Sequence, residues 1–265
     1  HGDRFSYQTS GLVPREEQMK TRLTMVITAG LLLVLALLPL YARWVEEPFL
    51  LTFSTRALVL ALAALSLNIV LGFGGMVSFG HALYLGLGAY AVGISASHGV
   101  DNGALQLLIT VVLCGVVGLA TGWVSLRTSG IGFIMITLAF AQMFYYLFVS
   151  LKQYGGDDGL SISLRSHLVG LNMGNPLTLY YTAFACVLAV VVWTQYMVKA
   201  PFGMVLQACR MNERRMNALG FHTLRYKLSA YVLSCVIAGV AGFLYANLTG
   251  YALSLIHISE PTRRS

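Results

Sequence analysis

Polar side chains are rare in the apolar stretches of this 265-residue chain, and residues 68–82 contain several of them. This segment carries Asn68, Ser78 and His81 together with four glycines, one of which is Gly80. Amide, hydroxyl and imidazole groups can hydrogen-bond a solute, and glycine permits irregular backbone. The segment could therefore line a path for a small molecule, or it could be a tight re-entrant turn that only packs.

Two further polar side chains, Thr137 and Gln142, lie in another apolar run. Each can hydrogen-bond between helices, which is the more ordinary role for such a residue. No carboxylate partner for His81 is visible nearby, which weakens a direct role of His81 in binding a substrate. The candidate translocation pathway predicted from these residues consists of Asn68, Ser78, Gly80, His81, Thr137 and Gln142.

The sequence contains no arrangement typical of an enzyme. Residues 86–91 fit the G-x-G-x-x-A pattern of dinucleotide-binding proteins, but that pattern works only after a strand of a soluble α/β unit. In an apolar helix, small residues instead allow neighbouring helices to pack closely. No Walker A motif, paired catalytic carboxylates or Ser/His/Asp arrangement is found. We predict no metal site or cofactor, and we expect the scattered cysteines to pack as small apolar residues: Cys114, Cys186, Cys209 and Cys235.

A second candidate site is the basic run at residues 199–227, between two apolar segments. Pro201 suits a helix start, residues 203–213 are predicted as a short polar helix, and Leu219 with Gly220 is predicted to end the element. The predicted amphipathic surface carries Leu206 and Met211 as apolar contacts and Arg210, Asn212 and Glu213 as polar ones. Such a surface could bind a soluble motor, or its cations could hold it on anionic lipid.

The composition indicates which elements must position these residues. With 57% hydrophobic and 10% charged residues and a mean hydropathy of +0.73, the chain cannot hide its apolar surface in one soluble core. Several apolar runs approach the roughly 20 residues that a helix needs to cross about 30 Å of hydrocarbon. We therefore predict an all-α integral membrane bundle with seven spans: 23–41, 55–71, 79–97, 104–126, 131–151, 177–198 and 228–248.

The distribution of charge predicts the orientation of these spans. Lys20 and Arg22, Arg127, and the cations of residues 199–227 fall on one side of the membrane if the chain crosses seven times. Because positively charged loops stay on the cytoplasmic side, the N-terminus is predicted to be cytoplasmic. The net charge of +7 then reflects topology, and no nucleic-acid partner is expected.

Both ends of the chain look foreign to the fold. Residues 1–18 are polar and precede Met19, which begins a run typical of a natural start, so they are expected to be a non-native extension. Residues 253–265 resemble the translation of a sequencing-library adapter, which suggests that the native gene was cut near Ala252. The permease domain is therefore expected to span residues 19–252.

The spans also bear on the source of energy for transport. All ten Asp and Glu residues lie outside the predicted spans. Carriers coupled to protons or sodium commonly keep ionisable residues inside the membrane, so this distribution weakens a secondary-transport mechanism.

Several motifs resemble one known family. Ser78-Phe79-Gly80-His81-Ala82, with Gly86-Leu87-Gly88-Ala89-Tyr90 after it, is similar to the S-x-G-H-A and G-x-G-A-Y signature of bacterial branched-chain amino acid ABC transporter permeases of the LivM type. The segment from Leu206 through Gly220, and the Ala238-Gly239-Val240-Ala241-Gly242 run, resemble the coupling segment and following helix of the same family. The resemblance extends from about the second span to Tyr251.

This resemblance implies a multi-pass permease of the bacterial inner membrane. Its implied partners are membrane lipid, a homologous second permease, two cytoplasmic ATP-binding subunits and a periplasmic substrate-binding protein. ATP and Mg²⁺ would be bound by the ATPase subunits, with no cofactor in this chain. The residues expected to couple to the ATPase are Leu206, Arg210, Asn212, Glu213, Leu219 and Gly220.

The expected substrates are leucine, isoleucine and valine, because a mostly apolar path suits an aliphatic side chain. Urea and short-chain amides are alternatives, since the same superfamily includes permeases for them. A secondary amino acid carrier and a non-transporting membrane scaffold are the remaining alternatives.

Overall fold

The computed structural model describes residues 30, 32, 34–41, 48–99, 102–151, 160–161, 167–168 and 171–252. The described helices after residue 41 are α1 (Pro48–Asn68), a π-helix (Ile69–Phe73), α2 (His81–Ser97), α3 (Gly103–Ser125), α4 (Ile131–Ser150), α5 (Pro176–Lys199), α6 (Pro201–Met211), α7 (Glu213–Ala218) and α8 (Thr223–Thr249). The described strands are β1 (Leu160–Ser161), β2 (His167–Leu168), β3 (Leu171–Asn172) and β4 (Tyr251–Ala252).

The predicted all-α membrane bundle is confirmed. Within the described part of the chain, five helical segments are long and apolar enough to cross a membrane: Phe49–Phe73, Gly103–Ser125, Ile131–Ser150, Pro176–Lys199 and Thr223–Thr249. Helix α2 is shorter, with 17 residues, and most of its side chains are buried. The predicted span at 23–41 lies mostly outside the described residues, although residues 34–41 are helical. The predicted extensions 1–18 and 253–265 lie outside them entirely.

Two predicted spans begin too late in the sequence. Helix α1 begins at Pro48 and not near residue 55, since its first turns are apolar and Arg56 is tolerated inside the helix over the Tyr245 ring, 5.8 Å from its centroid. Helix α8 begins at Thr223 and not at residue 228. Its first turns carry Arg225 and Lys227. The apolar run alone therefore predicts the membrane-spanning part of α8 and misses these polar first turns.

Helix α2 lies at the centre, packed against α3 and α8. Glycine allows this close packing, because a Cβ on Gly88 would collide with the carbonyl of Gly239, and one on Gly242 would collide with the carbonyl of Leu85. The prediction that the glycine-rich run serves close helix packing is confirmed at Gly88. Gly86 differs, since nothing lies within 4 Å of its hypothetical Cβ.

The chain between α1 and α2 departs from the α-helix in two steps. Helix α1 first widens into the π-helix, and the Gly74 amide then donates to the carbonyl of Ile69 over 3.1 Å. Gly75 follows with a positive φ of 67°, a conformation that favours glycine. Residues 75–78 carry no helix or strand, so irregular backbone at the junction of two spans is confirmed.

The basic run forms two helices and not one. Asn212 has an extended backbone with φ −156° and ψ 96°, which ends α6 at Met211. Its side chain then accepts from the Arg215 amide over 3.0 Å and caps α7. The predicted single helix over 203–213 is therefore wrong at its C-terminal end, because asparagine stabilises a new helix start here better than it continues the old one.

The α3–α4 turn and the basic run meet at one end of the bundle. Residues 75–77, the α3–α4 turn at 126–130, Glu213 and Lys227 line one cavity of about 370 Å³. The Arg127 turn and the 199–227 run thus lie together at one end of the bundle, as expected if both are on one side of the membrane. Two antiparallel pairs complete the described backbone, with Leu160 opposite Ala252 and His167 opposite Asn172.

Candidate functional site

His81 begins α2 directly after the irregular backbone. It follows Gly80, whose hypothetical Cβ would lie 2.5 Å from the carbonyl oxygen of Thr137 on α4. Only glycine allows the chain to pass this close to α4, and the approach brings the imidazole into the bundle. The His81 side chain is about nine-tenths buried, with 9% of its surface exposed.

The hydrogen bonds of His81 determine its tautomer. His81 Nε2 lies 2.6 Å from Ser234 Oγ, and the Ser234 hydroxyl donates to the backbone carbonyl of Ser66. Because the single hydroxyl proton of Ser234 is used there, its oxygen must accept from His81, so Nε2 carries a proton. In a neutral ring Nδ1 is then an acceptor, and it is buried without a hydrogen-bond partner among the described residues.

Aromatic side chains surround the imidazole on its inner side. Tyr84 and Tyr231 contact the ring edge-on, with centroid distances of 5.8 and 6.1 Å. The Tyr84 hydroxyl lies 2.6 Å from Thr121 Oγ1 and 3.1 Å from the Tyr231 hydroxyl. These bonds link α2, α3 and α8 around His81 and hold the ring in one orientation.

A cavity of about 590 Å³ lies beside this cluster, lined by His81, Gln142 and Ser66 among mostly apolar neighbours. The apolar lining comes from Leu60, Ala63, Ala64, Leu67, Phe79, Ala82, Leu85, Leu138, Ala141 and Ala238. A cavity of this size and character suits a small solute with an aliphatic part and one or two polar groups. The arrangement can bind such a solute, and Ser234 is not activated as a nucleophile by His81, because its hydroxyl accepts from Nε2 and donates to the Ser66 carbonyl.

The structure brings only part of the predicted pathway together. His81 and Gln142 line the same cavity, and Gly80 places His81 there. Asn68 is instead exposed, with its side chain over Gly72. Thr137 is buried and donates to the Ile134 carbonyl of its own helix over 2.9 Å, and Ser78 is buried outside the cavity lining.

Sequence reasoning missed the side chains that orient His81. Ser66, Thr121 and Ser234 are small polar residues within apolar runs, which was an available signal. Their pairing was not predictable, since 153 residues separate His81 from Ser234 along the chain. Tyr84 and Tyr231 look like ordinary apolar packing residues in the sequence.

The basic run packs with one face inward. Leu206 is fully buried, whereas Met211 is 88% exposed, so the prediction that both lie on one surface is wrong. They are five positions apart along the chain, which places them about 140° apart around a helix of 3.6 residues per turn. Cys209 also faces inward, and burial raises the pKa of its thiol, with Lys227 opposing this effect. The cysteine prediction is confirmed for the three buried thiols, Cys114, Cys209 and Cys235.

Arg210 connects the basic run to the irregular backbone. Its guanidinium Nη1 donates to the carbonyl of Gly72 in the π-helix. Its side-chain carbons lie over Gly75, where a Cβ would be 2.6 Å from Arg210 Cγ. Helix α6 is thus attached directly to the segment that leads to His81.

The Glu213 side chain contacts two residues of α8. Its Oε2 pairs with Lys227 Nζ at 2.6 Å, and its Oε1 lies 3.2 Å from the Thr223 hydroxyl, which shares its proton with the nearer Asn217 Oδ1 at 2.9 Å. Lys227 and Thr223 belong to α8, so Glu213 fastens α7 to α8. Gly220 reverses the chain between the two helices with a φ of 89°. Met211 and Leu219 are exposed on either side of α7, the latter by 65%, and Phe221 beyond Gly220 is 38% exposed.

Comparison with known proteins assigns a family. A family model described as the branched-chain amino acid transport system permease component matches residues 49–258, most of the chain. The chain is 25% identical over 250 residues to the high-affinity branched-chain amino acid transport system permease protein LivM of Escherichia coli. The alignment covers 83% of this chain and 58% of that protein.

Two other relatives give the same result. The protein of the same description from Salmonella typhimurium is 24% identical over 250 residues, with the same coverage of each chain. A probable branched-chain amino acid transport permease protein LivM of Methanocaldococcus jannaschii is 23% identical over 223 residues, covering 71% of this chain and 64% of that protein. The chain therefore spans about 58% of the length of the first two relatives. No solved structure matches it.

Proposed function

Because this chain belongs to the family of permease components of branched-chain amino acid transport systems, we propose that it forms part of the path of an ATP-driven importer for leucine, isoleucine and valine. The chain is a multi-pass membrane permease component and not an enzyme. The observation that carries the proposal is the imidazole of His81 beside a mostly apolar cavity. Ser234 holds the ring so that Nδ1 is an acceptor with no hydrogen-bond partner in the described part of the chain.

The cavity chemistry supports a branched-chain amino acid. Leu60, Leu67 and Leu138 offer aliphatic surface to the substrate side chain. In the proposed complex a shift of the lining opens the buried Nδ1 of His81 to the substrate ammonium, for which it is the unsatisfied acceptor, and the Gln142 amide donates to the substrate carboxylate. Urea or a short amide could use the same polar groups, but it would leave most of the apolar lining without a contact. This difference favours the aliphatic amino acids.

The source of energy is proposed to lie outside this chain. The exposed Met211 and Leu219 would contact a cytoplasmic ATP-binding subunit, which would hold ATP and Mg²⁺. The full importer would contain two such subunits, a second homologous permease and a periplasmic binding protein. It would lie in the bacterial inner membrane with the basic face and the N-terminus on the cytoplasmic side.

The test uses matched substitutions of His81 in the full-length complex reconstituted in proteoliposomes. In His81→Gln the amide nitrogen occupies the region of Nε2 and keeps the bond to Ser234, but the Nδ1 acceptor is lost. In His81→Asn the amide oxygen replaces Nδ1 instead. We expect His81→Gln to raise the KM for leucine by about tenfold or more, since a hydrogen bond to a charged group contributes roughly 1.5–3 kcal/mol.

The controls separate the parts of the proposal. His81→Asn should bind leucine better than His81→Gln, provided both variants assemble to the wild-type level. Equal leucine uptake by wild type and His81→Gln would contradict the role of Nδ1. Preferred uptake of urea would contradict the substrate assignment. Uptake that survives inactivation of the ATPase site but is abolished by a protonophore would contradict the energy source and indicate a secondary carrier.

A further inference from the structure

A groove separate from the His81 cavity runs along the outer face of α8. Its volume is about 820 Å³, and its walls come from α3, α5, α6 and α8. Leu119, Met197, Leu228 and Leu233 make most of the described lining apolar, and Arg225 is its charged residue. The groove therefore joins apolar surface to a cation.

The groove has the length of one membrane leaflet. Arg225, Ser229, Val232 and Val236 follow one another on a single face of α8, at steps of four, three and four residues. Eleven residues of helix extend about 16 Å at 1.5 Å per residue, close to half of the roughly 30 Å hydrocarbon thickness. The polar residues are at the basic end of the bundle and the apolar residues lie deeper.

The basic end opens into a second, more polar recess of about 480 Å³. The two cavities share Phe202, Arg225 and Ser229, and His222 adds another polar group to the recess. The ring of Phe202 packs against Tyr226 with a centroid distance of 5.7 Å, and both rings line the recess. A polar recess thus continues directly into an apolar groove.

The charge of this recess is uncompensated within the described part of the chain. The ion pair of that described part joins Lys227 to Glu213, neither of which lines the recess. Arg225 has no carboxylate within 4 Å. Arg225 is exposed at the mouth of the groove. On the opposite wall Trp193 and Tyr196 are 38% and 73% exposed, and such residues favour the interface between lipid and water. The recess is therefore complementary to an anionic headgroup at the membrane surface.

We propose that this groove binds one anionic phospholipid, with its phosphate at Arg225 and Ser229 and an acyl chain along Val232 and Val236. The guanidinium and hydroxyl donate to the phosphate oxygens. The apolar walls of the groove replace the neighbouring lipid tails that would otherwise surround the acyl chain. The site depends on neither the transported substrate nor the His81 cavity.

The first test measures lipid binding by the full-length permease in detergent, using native mass spectrometry with phosphatidylglycerol or phosphatidylcholine. We expect preferential retention of phosphatidylglycerol, and Arg225→Gln should weaken it by about fivefold or more, the scale expected from one cation near an anionic surface. Arg214→Gln removes the same charge from the same end of the bundle outside the groove, and it should leave retention unchanged.

The second test locates the acyl chain. A phosphatidylglycerol carrying a photoreactive group midway along one acyl chain should label Val232 or Leu233 in the assembled complex, and Val232→Trp should abolish this label by filling the groove. Equal losses for Arg225→Gln and Arg214→Gln would overturn the proposal in favour of diffuse surface charge. It would also be overturned by equal retention of both lipids, or by absence of label because another protein segment covers the groove.

Discussion

At the scale of single residues, Glu213 illustrates the difference between a side chain that binds a partner and one that positions the surface for it. Its carboxylate contacts Lys227 and Thr223 on α8, and 43% of the Glu213 side chain is exposed. Ion pairs of this exposure contribute about 0–1 kcal/mol to stability. The main effect of the pair is therefore to fix the orientation of α7, and its contribution to the free energy of unfolding is small.

A charge swap distinguishes these roles in the proposed importer. Glu213→Lys alone should reduce ATP-dependent uptake several-fold, because the introduced ammonium group would repel Lys227 and free α7 from α8. The double variant with Lys227→Glu should recover most of the uptake and of the ATPase stimulation by substrate. If Glu213 instead binds the ATPase directly, the double variant stays as defective as the single one in the same assay.

At the scale of elements, the contact between α2 and α8 depends on the absence of side chains. Gly88→Ala would place a methyl group against the carbonyl of Gly239, and neither backbone can move without shifting a helix. We expect a loss of roughly 1–3 kcal/mol, seen as a lower midpoint of thermal unfolding in detergent. Gly86→Ala on the same helix meets open space and should leave the midpoint unchanged or slightly higher. Equal effects of the two substitutions would contradict this account of the packing.

The elements themselves were largely predictable, because a helix that crosses a membrane needs a long apolar run and the runs are plain in this sequence. The break at Asn212 was harder to predict, since asparagine can end one helix or begin another and the choice depends on the contacts of α7. The inward face of α6 could not be assigned from composition, because Leu206 and Met211 are both apolar. The partner of His81 depends on packing between distant spans, which local sequence does not encode.

At the scale of the whole molecule, Met211 and Leu219 are exposed apolar side chains on either side of α7, at the basic end of the bundle. Apolar anchors bordered by charge are typical of surfaces that bind a partner. Leu219→Glu should therefore prevent copurification of the ATPase subunit with the full-length permease, while Leu219→Met, which keeps the apolar volume, should retain it. Unchanged copurification of the Leu219→Glu variant would exclude this residue from the interface.

The bond from Arg210 to Gly72 has a mechanical consequence for the two ends of the bundle. A carbonyl in the π-helix that loses this donor must find water or another donor, so separating α6 from the π-helix costs more than moving them together. If α6 is displaced, we therefore expect residues 69–80 to move with it and to shift the imidazole of His81 at the end of that segment.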